Sequence, residues 1–491
     1  MDFDTQIKQF GEYGVVERVV YPIIRVSGLP NVCNKELVLF EGGSTGEIYA
    51  LHEDSADVLM LTRNPVELGT RVARTGTYIS MNLCKEILGR IIDPFGNFLQ
   101  DPPSKTTSSE VREIDYVRSN LVERRLIQES FMTGYSVVDT VIPLGKGQRE
   151  LIIGDEKTGK TSFLLGVVRS YVKAGSLAVY AVVGGKRQEV ALIYEFLKKE
   201  GLLHNTVVVF SACDIAPGSI YYTPYGAMTA AEYLSQFQDV VVIIDDLTTH
   251  AKYYREIALL AGKYPGRDSY PGDIFYAHSR LLERSGVIQG EDGKTRSITC
   301  FPVGHTTDND VTDYIISNLI SITDGHFLFD RKEGLKGRNP PIHIGLSVSR
   351  VGKQTRTVLL QDISRITLNF LISKYDKAYT LSHFGEEMSL ESQVALVKGS
   401  LLYDFFNQNS ATSVPQEVQV LFVSMILCDF FNESQQNIRQ MRDDCIERYN
   451  SEKSTKDTIL GIMEHKDFES LSKDLRDRKE VFLDICKAKK S

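Results

Sequence analysis

With 491 residues, 24% of them charged and 42% apolar, the chain has an ordinary globular composition and a length beyond what one hydrophobic core organises. A net charge of −8 argues against a nucleic-acid binder, whose phosphate partner calls for a basic surface, and no run reaches the ~18 uninterrupted apolar residues of a membrane span. The seven cysteines (Cys33, Cys84, Cys213, Cys300, Cys428, Cys445, Cys486) are odd in number and scattered, with no C-x-x-C pair, so they support neither a disulfide framework nor a zinc site.

The opening MDFDTQIKQF has neither the apolar stretch of a signal peptide nor the arginines of a transit peptide. The expectation is a cytoplasmic chain that meets a membrane only through partners. From about residue 11 to 80, short β-rich runs (GVVERVVYPIIRV, ELVLF, EIYAL, DVLMLT, TGTYISM) alternate with Gly, Pro and Asn turns, the pattern of a small barrel or sandwich. EILGRIIDPFGNFLQDPPSKTTSSE follows, with Asp93-Pro94, Pro102-Pro103 and a Ser/Thr cluster, and reads as an exposed connection.

Between about 120 and 350 the texture changes. ELIIG, SLAVYAVVG, TVVVFSAC, DVVVIIDD and SITCFPVG are near-continuous apolar runs, with helical segments such as EVALIYEFLKKEG and TAAEYLSQF between several of them. That predicts a mostly parallel sheet covered on both faces. Beyond about 357 the strands stop; ESQVALVKGSLLYDFF and EVQVLFVSMILCDFF are helical, and the last fifty or so residues read as charged helix whose charges form a solvated face. The boundaries expected are 1–82 for the barrel, 83–356 for the α/β domain and 357–491 for the helical domain with its charged tail.

The stretch GDEKTGKT, Gly154 to Thr161, satisfies G-x-x-x-x-G-K-[ST] between a strand-like run and an amphipathic helix. Glycines let the amides of Gly154, Asp155, Glu156, Lys157, Thr158 and Gly159 curl around phosphate oxygens. Lys160 reaches the β- and γ-phosphates, Thr161 ligates Mg²⁺, and Ser162 continues the first helical turn. Asp245, with Asp246 beside it, closes VVVIIDD and is the acid expected to hold Mg²⁺ through water, with helix capping as the competing reading. Cleavage also needs a group that orients the attacking water. The natural place is the end of AVYAVVGGKRQEV, where Gly184-Gly185 offers none and Glu189 falls inside the next helix. The residues equip the site to bind Mg-ATP or ADP and leave it poorly equipped to cleave it.

GQRELIIGDEKTGKTS, YPGDIFYAHSRLLERSG, SNLISITDG, IHIGLSVSRVG and EILGRIIDPFGN together make the chain resemble the alpha, non-catalytic subunits of rotary F-type ATP synthases along nearly its whole length. The resemblance implies an N-terminal β-barrel, a central RecA-like P-loop α/β domain and a C-terminal helical bundle. It also implies an alternating heterohexamer with catalytic beta-type subunits around a central gamma-type shaft, associated with the membrane through the complex. Gly185 stands where the homologous catalytic subunits carry Glu and the alpha family usually Gln. Arg350 in SVSRVG is implied to be an arginine finger acting on ATP in the neighbouring catalytic subunit; taken alone, without the surrounding block, it reads rather as a loop arginine bonded to carbonyls. Pro340 and Gln408 are implied to lie at the adenine pocket. Departures are Lys157 for the usual Gln, Asn339 for an Arg, and a shorter segment ahead of the barrel, which sets ordinary peripheral-stalk attachment apart. The alternatives are a divergent F-type-like ATPase driving another load such as cell motility, a homohexameric export ATPase or RNA translocase, and an ATP-holding scaffold without effect on turnover.

Overall fold

Alternation of apolar and polar residues in the first eighty positions resolves into a closed barrel. The computed structural model of the chain describes residues 2–100, 102–103, 109–115, 124–290, 292–383, 389–431 and 437–487. Strands β1 (Gly14–Val20), β2 (Ile23–Ser27), β3 (Glu36–Phe40), β4 (Thr45–Leu51), β5 (Ser55–Met60) and β6 (Arg71–Tyr78) close in the order β1-β2-β5-β4-β3-β6. All the pairings are antiparallel, with β6 returning to β1. Val16, Ile24, Val26, Val38, Phe40, Ile48, Val58, Met60 and Val72 fill the interior, as the period-2 pattern requires. A short helix, Phe3–Phe10, precedes it, with the Arg74 guanidinium 4.9 Å from the Phe10 ring centroid. The Ser/Thr cluster of the predicted connection, residues 104–108, lies outside the described residues, as do residues 488–491 of the tail.

The chain divides into two compact units, residues 1–125 with 175–323 and residues 126–174 with 324–491. In the first unit, the barrel's outer face packs on an α/β layer: Ile23 and Leu59 meet Ile257, and Tyr222 Oη donates to the buried Glu47 carboxylate at 2.6 Å. The sheet runs parallel in the order Thr295–His305, Val240–Asp245, Leu177–Gly185, Thr206–Ala212, Ile91–Ile92. Gly286–Gln289 pairs antiparallel with Thr295–His305. Val240 through Ile244 are fully buried, the two-sided burial that makes such strands continuous apolar runs.

In the second unit, Glu150–Gly154 pairs parallel with Gly325–Phe329, which pairs antiparallel with Val348–Ser349. The helix Lys160–Lys173 follows the first of these strands, and helices including Val358–Arg365, Leu390–Phe406, Gln416–Leu427 and Ile438–Ser451 make up the C-terminal part. The charged tail forms Phe468–Asp477 and Lys479–Ile485, which bury Leu471, Leu475, Phe482 and Ile485 and leave their charges outside. No helix among the described residues is long and apolar enough to cross a membrane.

Two buried histidines tie the first unit together. His250 Nε2 lies 3.1 Å from the Tyr221 carbonyl oxygen and its Nδ1 3.0 Å from His278 Nε2. The carbonyl only accepts, so His250 carries its proton on Nε2, and His278 donates to Nδ1. Burial drives His250 down to about 4 from its ordinary 6.5, and burial with the neighbouring His250 drives His278 well below that ordinary value. Both folded values lie below the unfolded one. The neutral pair therefore contributes fully above pH 6.5, and the contribution is lost as pH falls from 6.5 towards 4. His250 alone accounts for about 3 kcal/mol of that loss. Urea unfolding of the intact chain across this window should show the decline, and His250→Gln should make it shallower; parallel profiles for the two chains would contradict the assignment.

Candidate functional site

The strand Glu150–Gly154 runs in register with Gly325–Phe329 from Glu150 opposite Gly325 to Gly154 opposite Phe329. Gly154 has φ 151°, and a Cβ there would stand 2.4 Å from the Phe329 carbonyl oxygen, so only glycine fits this close approach. The chain then turns through 155–159 with Lys157 at φ 60° and Gly159 at φ 90°. Thr158 Oγ1 donates to the Asp155 carbonyl at 2.8 Å and closes the turn. The helix Lys160–Lys173 begins after Gly159 with no side-chain cap, leaving its first amides for an anion.

Lys160 is 5% exposed and lies back along the loop, donating to the carbonyls of Gly154 at 2.7 Å and Asp155 at 2.6 Å. Its ammonium is thus held at the mouth of the loop by acceptors it can exchange for phosphate oxygens. Glu156, Lys157, Gly159, Thr161 and Ser162 are exposed around it, and nothing approaches within 4 Å of the place of a Cβ on Gly159.

Arg350 lies in the same unit, exposed just past Val348–Ser349. Its backbone N–H donates to the Asp324 carbonyl at 3.0 Å. Behind it, Gln148 Nε2 donates to Glu150 Oε2 at 2.8 Å and to Ser349 Oγ at 3.0 Å, while Ser349 Oγ donates to the Pro143 carbonyl at 2.6 Å. Burial drives the Glu150 carboxyl well above its ordinary range, against the pull of the Gln148 amide. Sequence reasoning missed this bracket, because Gln148 and Glu150 look like the polar start of a strand until Ser349 pairs beside them.

Pro340 is buried and Asn339 exposed. Gln408 meets this segment: its N–H donates to the Asn339 carbonyl at 2.7 Å. Its side chain, 2% exposed, accepts from the Ser136 N–H at 2.7 Å and donates to the Gly134 carbonyl at 2.9 Å. The structure brings the two expected adenine-pocket positions together, and it places the Gln408 amide between backbone groups, which it would have to release to touch a base.

In the first unit, Leu177–Gly185 ends at a glycine where a Cβ would stand 2.4 Å from Val182 Cγ1. Glu189, the nearest following acid, accepts from the Lys186 N–H at 3.0 Å and caps the helix Arg187–Lys199. Asp245 accepts from Tyr180 Oη at 3.0 Å. Asp246 caps the helix Leu247–Leu260, accepting from the Thr249 N–H at 2.6 Å and Oγ1 at 2.9 Å, and its Oδ2 lies 3.2 Å from His305 Nε2. Burial works against its ionisation, but the bond and charge of His305 and the Thr249 donors outweigh it and hold the Asp246 carboxyl below its ordinary value. The two readings of the acidic pair thus separate: Asp246 is the cap.

Ligand atoms of Asp245, Asp246 and His305 lie within 4.8 Å of one another. Carboxylate oxygens such as these are the donors that a hard cation such as Mg²⁺ takes. Sequence reasoning missed His305. The signal was its place at the carboxyl end of an apolar run, and the pairing of Thr295–His305 beside Val240–Asp245 puts it next to the acids, at the edge where parallel sheets collect ligands.

The model of the ATP synthase alpha/beta family, nucleotide-binding domain, matches residues 134–349. The ATP synthase subunit alpha of Acetivibrio thermocellus is 35% identical over 429 residues, covering 86% of this chain and 84% of its own. The chain belongs to the ATP synthase alpha subunit family. The subunit alpha of Aquifex aeolicus gives the same identity over 426 residues, and that of Mycoplasmoides gallisepticum 35% over 403 residues, 82% of this chain and 77% of its own. In this alpha-family chain the phosphate loop and Arg350 sit on one short ladder of strands, and the acids sit in the other unit.

Loss of one charge-assisted contact costs about 1.5–3 kcal/mol, so Lys160→Ala should weaken nucleotide binding by roughly 10–100-fold, measured by titration calorimetry.

Proposed function

We propose that this chain is the nucleotide-holding, non-catalytic member of an F-type rotary ATPase hexamer. Residues 154–162 hold ATP or ADP, with Thr161 on Mg²⁺ and Asp245 serving that ion through water. Arg350 reaches the nucleotide of an adjacent catalytic beta-type subunit, a gamma-type shaft turns within the ring, and the assembly meets the membrane through its other subunits. The segments 1–82, 83–356 and 357–491 serve as N-terminal β-barrel, P-loop nucleotide-binding domain and C-terminal helical domain with its charged tail.

The observation that carries this reading is the missing acid. The strand end that should orient the attacking water is Gly185, and the Glu189 carboxylate is bound to the Lys186 N–H. A phosphate loop with no water-orienting group at this strand end among the described residues favours holding nucleotide, with cleavage left to a beta-type partner. This absence also stands against a self-sufficient homohexamer, which needs the acid in its own chain.

Arg350 suits the finger role because it is an exposed guanidinium on a braced segment. A finger is worth about 10³–10⁵ in rate. In the assembled complex, Arg350→Ala should lower kcat by that order while leaving this chain's own nucleotide affinity unchanged. Arg350→Lys should not restore it, since an ammonium lacks the planar fork that spans two phosphate oxygens. Turnover within tenfold of wild type in the Arg350→Ala complex would reduce the chain to a scaffold.

A further inference from the structure

A second cationic cavity lies in the unit formed by residues 126–174 and 324–491. It has a volume of about 280 Å³ and is lined by Pro143, Lys353, Arg356, Gln361, Asp362, Ser364, Arg365 and Leu368. Arg356 is 8% exposed. Its Nη1 reaches the Thr140 carbonyl oxygen at 3.4 Å, and its Nε has no hydrogen-bond partner. The nearest buried acid, Asp139, is fully engaged elsewhere, accepting from the Thr133 N–H and Oγ1, the Gly134 N–H and Gln419 Nε2. A buried guanidinium whose Nε lacks an acceptor is a costly arrangement that an anion beside it would ease.

The surroundings fit an anion of more than one charge. Lys353, Arg356 and Arg365 bring three positive charges and Asp362 one negative, so the lining carries 3 − 1 = +2. Asp362 is bound to Arg365 at 2.9 Å, and Lys353 stands exposed at the rim on the turn Gly352–Thr355. Gln361 braces that turn by donating to the carbonyls of Lys353 at 3.2 Å and Arg356 at 3.0 Å. The Gly352 backbone is pressed against Pro143, with the place of its missing Cβ 1.6 Å from the Pro143 carbonyl oxygen. The wall beside Arg356 is thus fixed by backbone contacts, with Lys353 and Arg365 at its exposed side.

We propose that this cavity is a binding site for a small dianionic oxyanion, inorganic phosphate being the fitting species, held by Arg356 with Lys353 and Arg365. Burial pushes the Arg356 guanidinium down to about 10, with Asp139 opposing, so it remains a cation at neutral pH. An oxyanion in the cavity would meet this guanidinium with charge-assisted hydrogen bonds at its Nη groups. The site is separate from the phosphate loop and does not depend on the role proposed for Arg350.

The test is calorimetric titration of the full chain with inorganic phosphate, in the Lys160→Ala background that disables the phosphate loop. Saturable binding is expected there, weakened at least fivefold by Lys353→Ala, a surface change that leaves the core intact, and lost with Arg356→Gln. Acetate, a monoanion, should bind at least tenfold more weakly than phosphate. Binding that vanishes with Lys160→Ala, or that ignores Lys353→Ala, would overturn the proposal, as would no saturable binding in any chain. Equal binding of acetate would overturn the dianion assignment.

Discussion

A carbonyl oxygen on Phe329, 2.4 Å from where any side chain on Gly154 would begin, is the constraint on which the nucleotide loop depends. It lets two strands approach in strict register, and that register decides where the chain leaves the sheet and where Lys160 starts its helix. The other end of the same ladder repeats the device: a Cβ on Gly325 would stand 2.2 Å from the Val348 carbonyl oxygen and 2.4 Å from Glu150 Oε2. Gly325 in turn pairs with Ser349, the residue before Arg350. Two close approaches, each possible only at glycine, therefore fix both the phosphate loop and the arginine on one three-strand ladder.

Chemistry follows from what surrounds those fixed points. Lys160 is held on carbonyls it can trade for phosphate, and the helix behind it opens without a side-chain cap, so an anion completes the local bonding. The acids of the other unit are spent unequally. Asp246 is bound by Thr249 and His305, Glu189 by Lys186, and Asp245 accepts from Tyr180 Oη. The proposed binding without cleavage rests on where these carboxylates find their donors.

Much of this was legible in the amino-acid order. The phosphate loop carries its own punctuation, the apolar runs announced a parallel sheet, and the alternating runs before residue 80 announced small-barrel strands, because each is a local pattern with one dominant physical cause. What was not legible depends on tertiary pairing. Whether β6 returns to β1 cannot be read from either strand alone. His305 looks like the end of a core strand until that strand lies beside Asp245, and Gln408 reads as a polar helix-end residue until its amide is found between Ser136 and Gly134. Gln148 and Arg356 are similar cases, with partners about two hundred residues away in the chain.

The central claim is that this chain binds nucleotide and completes another subunit's site without turning over its own. Its most direct test is steady-state ATPase activity of the purified chain alone and after assembly with its beta-type partner, at matched Mg-ATP. The account predicts negligible turnover alone and strong turnover in the complex. Robust activity of the isolated chain, abolished by Lys160→Ala, would contradict it and would mean that a water-orienting group other than one at Gly185 operates within this chain.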